Sequence, residues 1–302
     1  MEIRTETVCA SAATLIRVRA ADYFELTKPR VTFLILIATL VGFYMGGSGS
    51  IPLSRLLFTL LATGLVAGGS AALNMYAERQ PDGLMNRTMN RPLPSGRLRE
   101  SGALAFALSI TVIGLSLLAA FASLLTAFLA AVTQAGYVLV YTPLKKRTWL
   151  CTLVGAFPGA LPVIIGWSAA TGAVPLKAWT LFAIVFFWQL PHFYAIGWMY
   201  RDEYARAGFS ILTVVDKSGI RTARQVLGST ALLVLASATP ALVGISGAIY
   251  LTGALTLGLI FMAYGYSFAR MRDRLSARRL FVFSVFHLPL LLLLLLIDKA
   301  PV

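Results

Sequence analysis

Long apolar stretches alternate with short polar segments along the whole chain. Nine such stretches are bounded by charged residues, glycine or proline, at about 31–47, 54–77, 101–118, 121–142, 149–169, 176–200, 222–245, 248–270 and 280–298. Roughly 20 consecutive apolar residues form a helix long enough to cross a bilayer. The pattern predicts an all-α, polytopic membrane protein with nine transmembrane helices. We expect one nine-helix domain over residues 22–302, preceded by an N-terminal tail over residues 1–21.

The composition supports a membrane protein. Of the 302 residues, 58% are hydrophobic and only 13% are charged, whereas about a quarter of the residues of a soluble domain are charged. This balance excludes a disordered or fibrous chain and argues against a nucleic-acid partner. The two cysteines, Cys9 and Cys151, lie far apart and have neither a disulfide framework nor a metal-binding spacing.

The charges predict the orientation. The formal net charge is +14, and 23 of the 26 Lys and Arg residues fall in segments on one side of the predicted spans. Only Arg55, Lys177 and Lys299 fall on the other side. Positive residues accumulate on the cytoplasmic side of membrane proteins, so we expect a cytoplasmic N-terminus, four cytoplasmic loops and a C-terminus outside, with membrane lipids as the surroundings.

Eleven of the twelve acids also lie on the cytoplasmic side, which orientation alone does not require. Asn74 and Glu78 are four residues apart and share a helix face. Pro81 is expected to end the helix and leave Asp82 in the following loop. These oxygen donors suit Mg²⁺, which binds a few carboxylates together with substrate phosphates. Asp202 and Glu203, after span six, are candidates for a second Mg²⁺.

Cations surround these acids in the sequence. Arg87 and Arg91 can donate bidentate hydrogen bonds to phosphate oxygens, and Lys145, Lys146 and Arg147 follow span four. Taken separately, such residues are also typical of solvated loops or of lipid headgroup contacts. Four carboxylates and at least five cations around one membrane mouth match a substrate with a charged head and a long apolar tail, such as an isoprenyl diphosphate.

At these residues the chain resembles the intramembrane aromatic (UbiA-type) prenyltransferase superfamily, through Asn74, Glu78 and Asp82 and through Arg87-Thr88 with Arg91-Pro92-Leu93-Pro94-Ser95-Gly96. Within it, the chain resembles the protohaem IX farnesyltransferase, or haem O synthase, family. That likeness is carried by the segments 141–148, 159–167, 188–193, 203–208 and 277–281. Glu78 and Gln80 depart from the family motif, which has aspartates at both positions.

The resemblance implies an activity. A farnesyl group would pass from farnesyl diphosphate to a vinyl group of haem B, water would add, and haem O and diphosphate would leave, with Mg²⁺ as cofactor. It also implies a bacterial inner membrane location and a downstream haem A synthase as a possible partner. Two alternatives remain open from the residues: a prenyltransferase for another ring acceptor such as 4-hydroxybenzoate, and a membrane transporter.

Two histidines fall inside predicted spans. His192 and His287 are expected about 12–15 Å from the cytoplasmic mouth, and ionisable side chains at membrane depth are functional candidates. Imidazole is a common ligand of haem iron, so His192, His287 and the neighbouring Trp188 are candidate acceptor-binding residues. The alternatives are hydrogen bonding across the bundle for the histidines and helix packing for the tryptophan.

Overall fold

The computed structural model describes residues 20–49 and 52–300. Within these ranges nine helices are long and apolar enough to cross a membrane. They are α1 (Pro29–Gly46), α2 (Leu53–Ala77), α3 (Glu100–Phe121), α4 (Leu124–Ala135, extended to Leu144 by further helical turns), α5 (Cys151–Thr171), α6 (Leu176–Met199), α7 (Ile220–Leu242), α8 (Ala248–Met271) and α9 (Arg274–Ile297). Residues 1–19 of the predicted tail lie outside the described residues.

The predicted number of spans is confirmed, and the ends of the first eight agree to within about three residues. The last helix differs, because α9 begins at Arg274 and not near residue 280. Asp273 caps it, since its Oδ1 accepts a hydrogen bond of 2.8 Å from the backbone N–H of Ser276. The cationic segment that was expected to be a loop is therefore partly the first two turns of a helix.

Helices α5 and α6 form the centre of the bundle. They are the most buried of the spans, they pack against each other, and α5 also packs against α1 and α4. The crossing of α1 and α5 is very close: a Cβ atom at Gly42 would lie 1.9 Å from the carbonyl oxygen of Val163, and one at Gly166 would lie 1.9 Å from that of Thr39. Small residues at such crossings let the backbones of membrane helices approach.

The remaining helices pack mainly on their sequence neighbours. Helix α2 packs on α1 and α3, and α3 on α4, while α7, α8 and α9 pack in succession beside α6. Helix α9 returns to α6, which places their ends next to each other. Some buried polar groups bond within the bundle: Gln134 Nε2 donates to Thr111 Oγ1 at 3.0 Å, and Gln189 Nε2 donates to the carbonyl of Ala156 at 2.7 Å.

The two ends of the bundle differ in chemistry. At one end Lys299 Nζ donates to the carbonyls of Tyr44 and Gly47, and Arg55 donates to the carbonyl of Ala122. The other end, which we call the charged end, carries the long polar connections between α2 and α3, α4 and α5, and α6 and α7. This partition follows the division of cations seen in the sequence.

Candidate functional site

Asn74, Glu78 and Asp82 lie at the charged end, and at most 6% of the surface of each is exposed. Helix α2 ends at Ala77, and Glu78 connects it to a short helix, Arg79–Asp82, that contains Pro81. The expectation that Asp82 lies in a loop is wrong. Its backbone N–H donates to the carbonyl of Glu78 at 2.8 Å, and proline is tolerated in a first helical turn because its N–H is not needed there.

Each of these three side chains has its own cation. Lys28 Nζ donates to Asn74 Oδ1 at 2.7 Å, Lys145 Nζ lies 2.7 Å from Glu78 Oε1, and Arg91 Nη1 donates to Asp82 Oδ2 at 2.6 Å. Among the described residues, no group of three or more His, Cys, Asp or Glu side chains is placed to hold a metal ion. In the structure, therefore, each carboxylate forms an ion pair with its own cation, and the carboxylates do not form a common metal site.

Burial acts differently on the two lysines. Burial, with a contribution from the charge of Arg91, lowers the pKa of Lys28 to about 7. Burial also opposes the charge of Lys145, but the electrostatic effects of Tyr141 and Glu78 and the hydrogen bond that Lys145 donates to Glu78 outweigh it and raise the pKa of Lys145 well above its usual value. Lys145 is therefore a permanent cation next to Glu78.

Lys28 is a site residue that sequence reasoning missed, because it was counted only as a cation that sets orientation. Its backbone is left-handed, with a φ of 48°, which costs a non-glycine residue about 1–2 kcal/mol. Such strain clusters at functional sites. The signal in the sequence was the Lys28-Pro29 pair directly at the start of span one.

The end of α4 is a π-helical turn, Gly136–Tyr141, of a kind that is frequent at functional sites. It is followed by Thr142, whose hydroxyl donates to the carbonyl of Tyr137 at 2.8 Å and accepts from Asn74 Nδ2 at 3.1 Å. Nζ of Lys145 lies 4.7 Å from the ring centroid of Tyr141. This turn therefore holds both the amide of Asn74 and the ammonium group that reaches Glu78.

The segment after α6 meets the same end through Glu203 and Tyr204. The backbone N–H of Arg87 donates to Glu203 Oε2 at 3.3 Å, and its guanidinium donates to the hydroxyl of Tyr204 at 3.0 Å. The side chain of Asp202, by contrast, is 91% exposed, so the structure does not place this acidic pair in one site. Ser210 donates from its backbone to the carbonyl of Lys145 at 2.7 Å, which joins this segment to the one after α4.

Lys146 and Arg147 are exposed, and their side chains make no hydrogen bond or ion pair within residues 20–49 and 52–300. Arg87 is also exposed, whereas Arg91 is partly buried against Asp82. The five cations predicted for a diphosphate thus divide into two that are held by carboxylates, Lys145 and Arg91, and three that face outward.

The two histidines have different surroundings. His192 Nδ1 lies 2.7 Å from Ser284 Oγ, and the hydroxyl of Ser284 donates to the carbonyl of Phe281. Nδ1 must then be the donor, which leaves the lone pair on Nε2. The ring stacks on Trp188, with 5.0 Å between centroids. His287 is fully buried, and neither of its ring nitrogens has a hydrogen-bond partner in the part of the chain that the structure describes.

Comparisons with known proteins decide the family. The model of the UbiA prenyltransferase family matches residues 35–289. The chain belongs to this family. Its nine-helix fold and its activity as a prenyltransferase, both expected from the sequence, are confirmed.

Two relatives of this UbiA family member share most of their length with it. A protoheme IX farnesyltransferase of Solibacter usitatus (strain Ellin6076) is 47% identical over 287 residues, which cover 92% of this chain and 98% of the relative. One of Koribacter versatilis (strain Ellin345) is 41% identical over 288 residues, which cover 92% and 93%.

Solved structures share the fold. A structure described as giving insights into digeranylgeranylglyceryl phosphate synthase in membranes has a TM-score of 0.76 at 16% identity and covers 92% of this chain and 98% of its own. A UbiA homolog from Archaeoglobus fulgidus bound to GPP and Mg²⁺ has a TM-score of 0.63 at 15% identity and covers 91% and 99%. The family membership disfavours the transporter alternative.

Proposed function

We propose that this prenyltransferase moves a farnesyl group from farnesyl diphosphate to the vinyl group of haem B and adds water, which gives haem O and diphosphate. The observation that carries the proposal is the 47% identity, over 92% of the chain, to a relative named protoheme IX farnesyltransferase. The charged end supports the first half of the reaction, because cations from three separate segments surround buried oxygen donors there.

The cations of this end would bind the diphosphate. Lys146 and Arg147 are exposed and available to phosphate oxygens. Arg87 is also exposed, and its guanidinium, which donates to the hydroxyl of Tyr204, has further N–H groups to offer. Lys145 and Arg91 already lie at the carboxylates and can turn toward the anion as it arrives. Their charges stabilise the diphosphate as it leaves, so that the bond between its oxygen and the first farnesyl carbon ionises.

The buried oxygens would take a divalent cation once Lys145 and Arg91 have turned from them to the diphosphate. An amide oxygen and two carboxylates with 6% exposure or less each hold a cationic side chain, which shows that the set attracts positive charge. Asn74, Glu78 and Asp82 would hold Mg²⁺, with Glu203 on the opposite segment. Mg²⁺ prefers hard oxygen ligands such as these and substrate phosphates, and bound there it would neutralise diphosphate charge. Asp202 faces away and is a weaker candidate.

The acceptor would lie against α6. Electrons of the haem vinyl group form the new bond to the farnesyl carbon, and water then bonds to the vinyl carbon left electron-deficient and releases its proton to the diphosphate. His192 is the residue we assign to haem, since its Nε2 lone pair is free to bind iron, with Trp188 stacked beside it. His287 is enclosed among Phe261 and Phe283 and is the lesser candidate.

We further propose that the charged end is cytoplasmic, in a bacterial inner membrane, with the C-terminus outside. The support is the predominance of cations at that end. A downstream haem A synthase would take the haem O product. The orientation is tested in intact cells by labelling single cysteines placed at Ser95 and at Ala248, both exposed, in a chain whose native cysteines are replaced. Labelling from outside of the cysteine at position 95 alone would reverse the orientation.

The reaction is tested with membranes that contain the protein, supplied with haem B, farnesyl diphosphate and Mg²⁺. The expected product has the mass of haem plus a farnesyl group plus water. A farnesyl adduct with a phenolic acid such as 4-hydroxybenzoate, and none with haem, would contradict the proposed acceptor while keeping the enzyme class.

The His192→Ala variant tests the acceptor site. We expect it to abolish farnesyl transfer to haem and to leave Mg²⁺-dependent binding of farnesyl diphosphate unchanged, because the imidazole lies on α6 and is not among the cations of the diphosphate site. Binding is measured by calorimetry and transfer by mass spectrometry. Turnover equal to that of the unmodified protein would contradict the assignment of His192 to haem binding.

A further inference from the structure

An open groove with a volume of about 700 Å³ lies between the charged ends of α6 and α9. Ligand sites commonly enclose about 300–1,000 Å³, so the groove is large enough for a macrocycle. None of the residues assigned above to the diphosphate or to Mg²⁺ lines it. His192 and Trp188 do not line it either, and His192 adjoins it through the ring of Phe281. Its walls are formed by Met199, Tyr200, Arg274, Arg278, Phe281 and Val282.

Two arginines on one wall of the groove have no counter-charge in the part of the chain that the structure describes. Arg274 and Arg278 are four residues apart, so they project from the same face of α9. Both are exposed, and neither side chain has an ion pair or a hydrogen bond among residues 20–49 and 52–300. By contrast Arg79, Arg91 and Arg97 all meet carboxylates. The guanidinium pair on α9 is therefore available to carboxylates of a ligand.

The walls of the groove also contact residues that we assign to each of the two substrates. The ring of Phe281, in its wall, lies 5.1 Å from the ring of His192. The ring of Tyr200, in the opposite wall, lies 5.1 Å from the guanidinium carbon of Arg87, which we assign to the diphosphate. A flat aromatic ligand in the groove would thus lie between the histidine of α6 and the leaving group.

We propose that this groove is the binding site of the haem acceptor, with Arg274 and Arg278 paired to its two propionate carboxylates and with Tyr200 and Phe281 against the macrocycle. The inference deepens the proposed function and rests on it. The occupant follows from the chemistry of the walls, because two unpaired guanidinium groups above aromatic surfaces suit a flat apolar ring with two carboxylates on one edge.

A cycle of protein and ligand changes tests the pairing. Binding of haem B and of its dimethyl ester, in which both carboxylates are neutral, is measured from the Soret absorbance without farnesyl diphosphate. We expect the unmodified protein to bind haem B about 10- to 100-fold more tightly than the ester, the range given by one fully formed charge-assisted hydrogen bond, because solvent weakens both exposed pairs. The R274Q/R278Q variant should bind both ligands with similar affinity.

The R221Q/R224Q variant is the matched control. It removes the same charge from two exposed arginines near the start of α7 that do not line the groove. We expect it to keep the full preference for haem B. Binding of farnesyl diphosphate should be unchanged in both variants.

Three results would overturn the inference. If R274Q/R278Q keeps the preference for haem B over the ester, the arginines do not bind propionates, and contact with anionic lipid headgroups becomes their role. If the unmodified protein does not bind haem at all but farnesylates a phenolic acid, the proposed function fails together with the inference. Formation of haem O with no effect of R274Q/R278Q would remove the groove alone.

Discussion

The closest helix crossing offers a quantitative test of the fold. A Cβ atom at Gly166 would lie 1.9 Å from the carbonyl oxygen of Thr39 and 2.7 Å from the backbone nitrogen of Phe43. Both are backbone atoms of α1 and cannot rotate away. To reach an ordinary contact of 3.4 Å, α1 must move from α5 by about 1.5 Å, which also disturbs the packing around the crossing.

We expect Gly166→Ala to lower the free energy of unfolding by about 3 kcal/mol, at the upper end of the usual cost of overpacking. For a chain of 302 residues that corresponds to a thermal midpoint about 5 °C lower, measured by differential scanning fluorimetry in one detergent. The product assay on the same sample should show a parallel loss, because Lys28 adjoins α1 at the charged end.

Gly228→Ala is the matched control, because Gly228 lies inside α7 and a Cβ atom there would meet nothing within 4 Å. Alanine favours a helix over glycine by about 1 kcal/mol, so its midpoint should stay the same or rise. An equal midpoint for Gly166→Ala and the unmodified protein would refute the close crossing of α1 and α5.

Three further predictions concern the charged end. Lys145→Met should lower stability by about 3 kcal/mol because it leaves the buried Glu78 without its partner. Adding Glu78→Gln should restore the thermal midpoint but not the binding of farnesyl diphosphate. A double variant no more stable than Lys145→Met would contradict a stabilising Lys145–Glu78 pair. Asp216→Ala should cost about 1–2 kcal/mol, since its carboxylate accepts the backbone N–H groups of Gly219 and Thr222 at the start of α7. Burial acts to raise the pKa of Asp216, but these hydrogen bonds outweigh it and lower the pKa below 3.8. The stability that Asp216 contributes is therefore present above that pH and is lost as the pH falls through the lowered pKa. If the stabilities of Asp216→Ala and the unmodified protein do not converge in an acid titration, this explanation is contradicted. Chelation of divalent cations should abolish farnesyl transfer yet leave the thermal midpoint unchanged, because protein cations already neutralise the carboxylates; unfolding on chelation would show a structural metal instead.

Local rules could predict much of the site. The oxygen donors of the second span, the cations of the following loop and the two histidines were all recognisable from residue type and position. The partners were not, because they depend on segments far apart in the chain: Glu78 meets Lys145, which lies 67 residues further on. The same applies to His192 and Ser284, whose contact sets the tautomer of the imidazole.

The sequence by itself determined the nine spans and the side on which the charges lie. A segment in a bilayer must satisfy its backbone hydrogen bonds internally, so apolar length alone identifies a helix, and the cations at its ends predict its direction. Only the tertiary structure decided that Lys28 reaches Asn74, that Asp202 faces away, and that α6 and α9 enclose a groove. These features arise from helix packing and from the π-helical turn of α4, where small changes of backbone angle redirect a side chain.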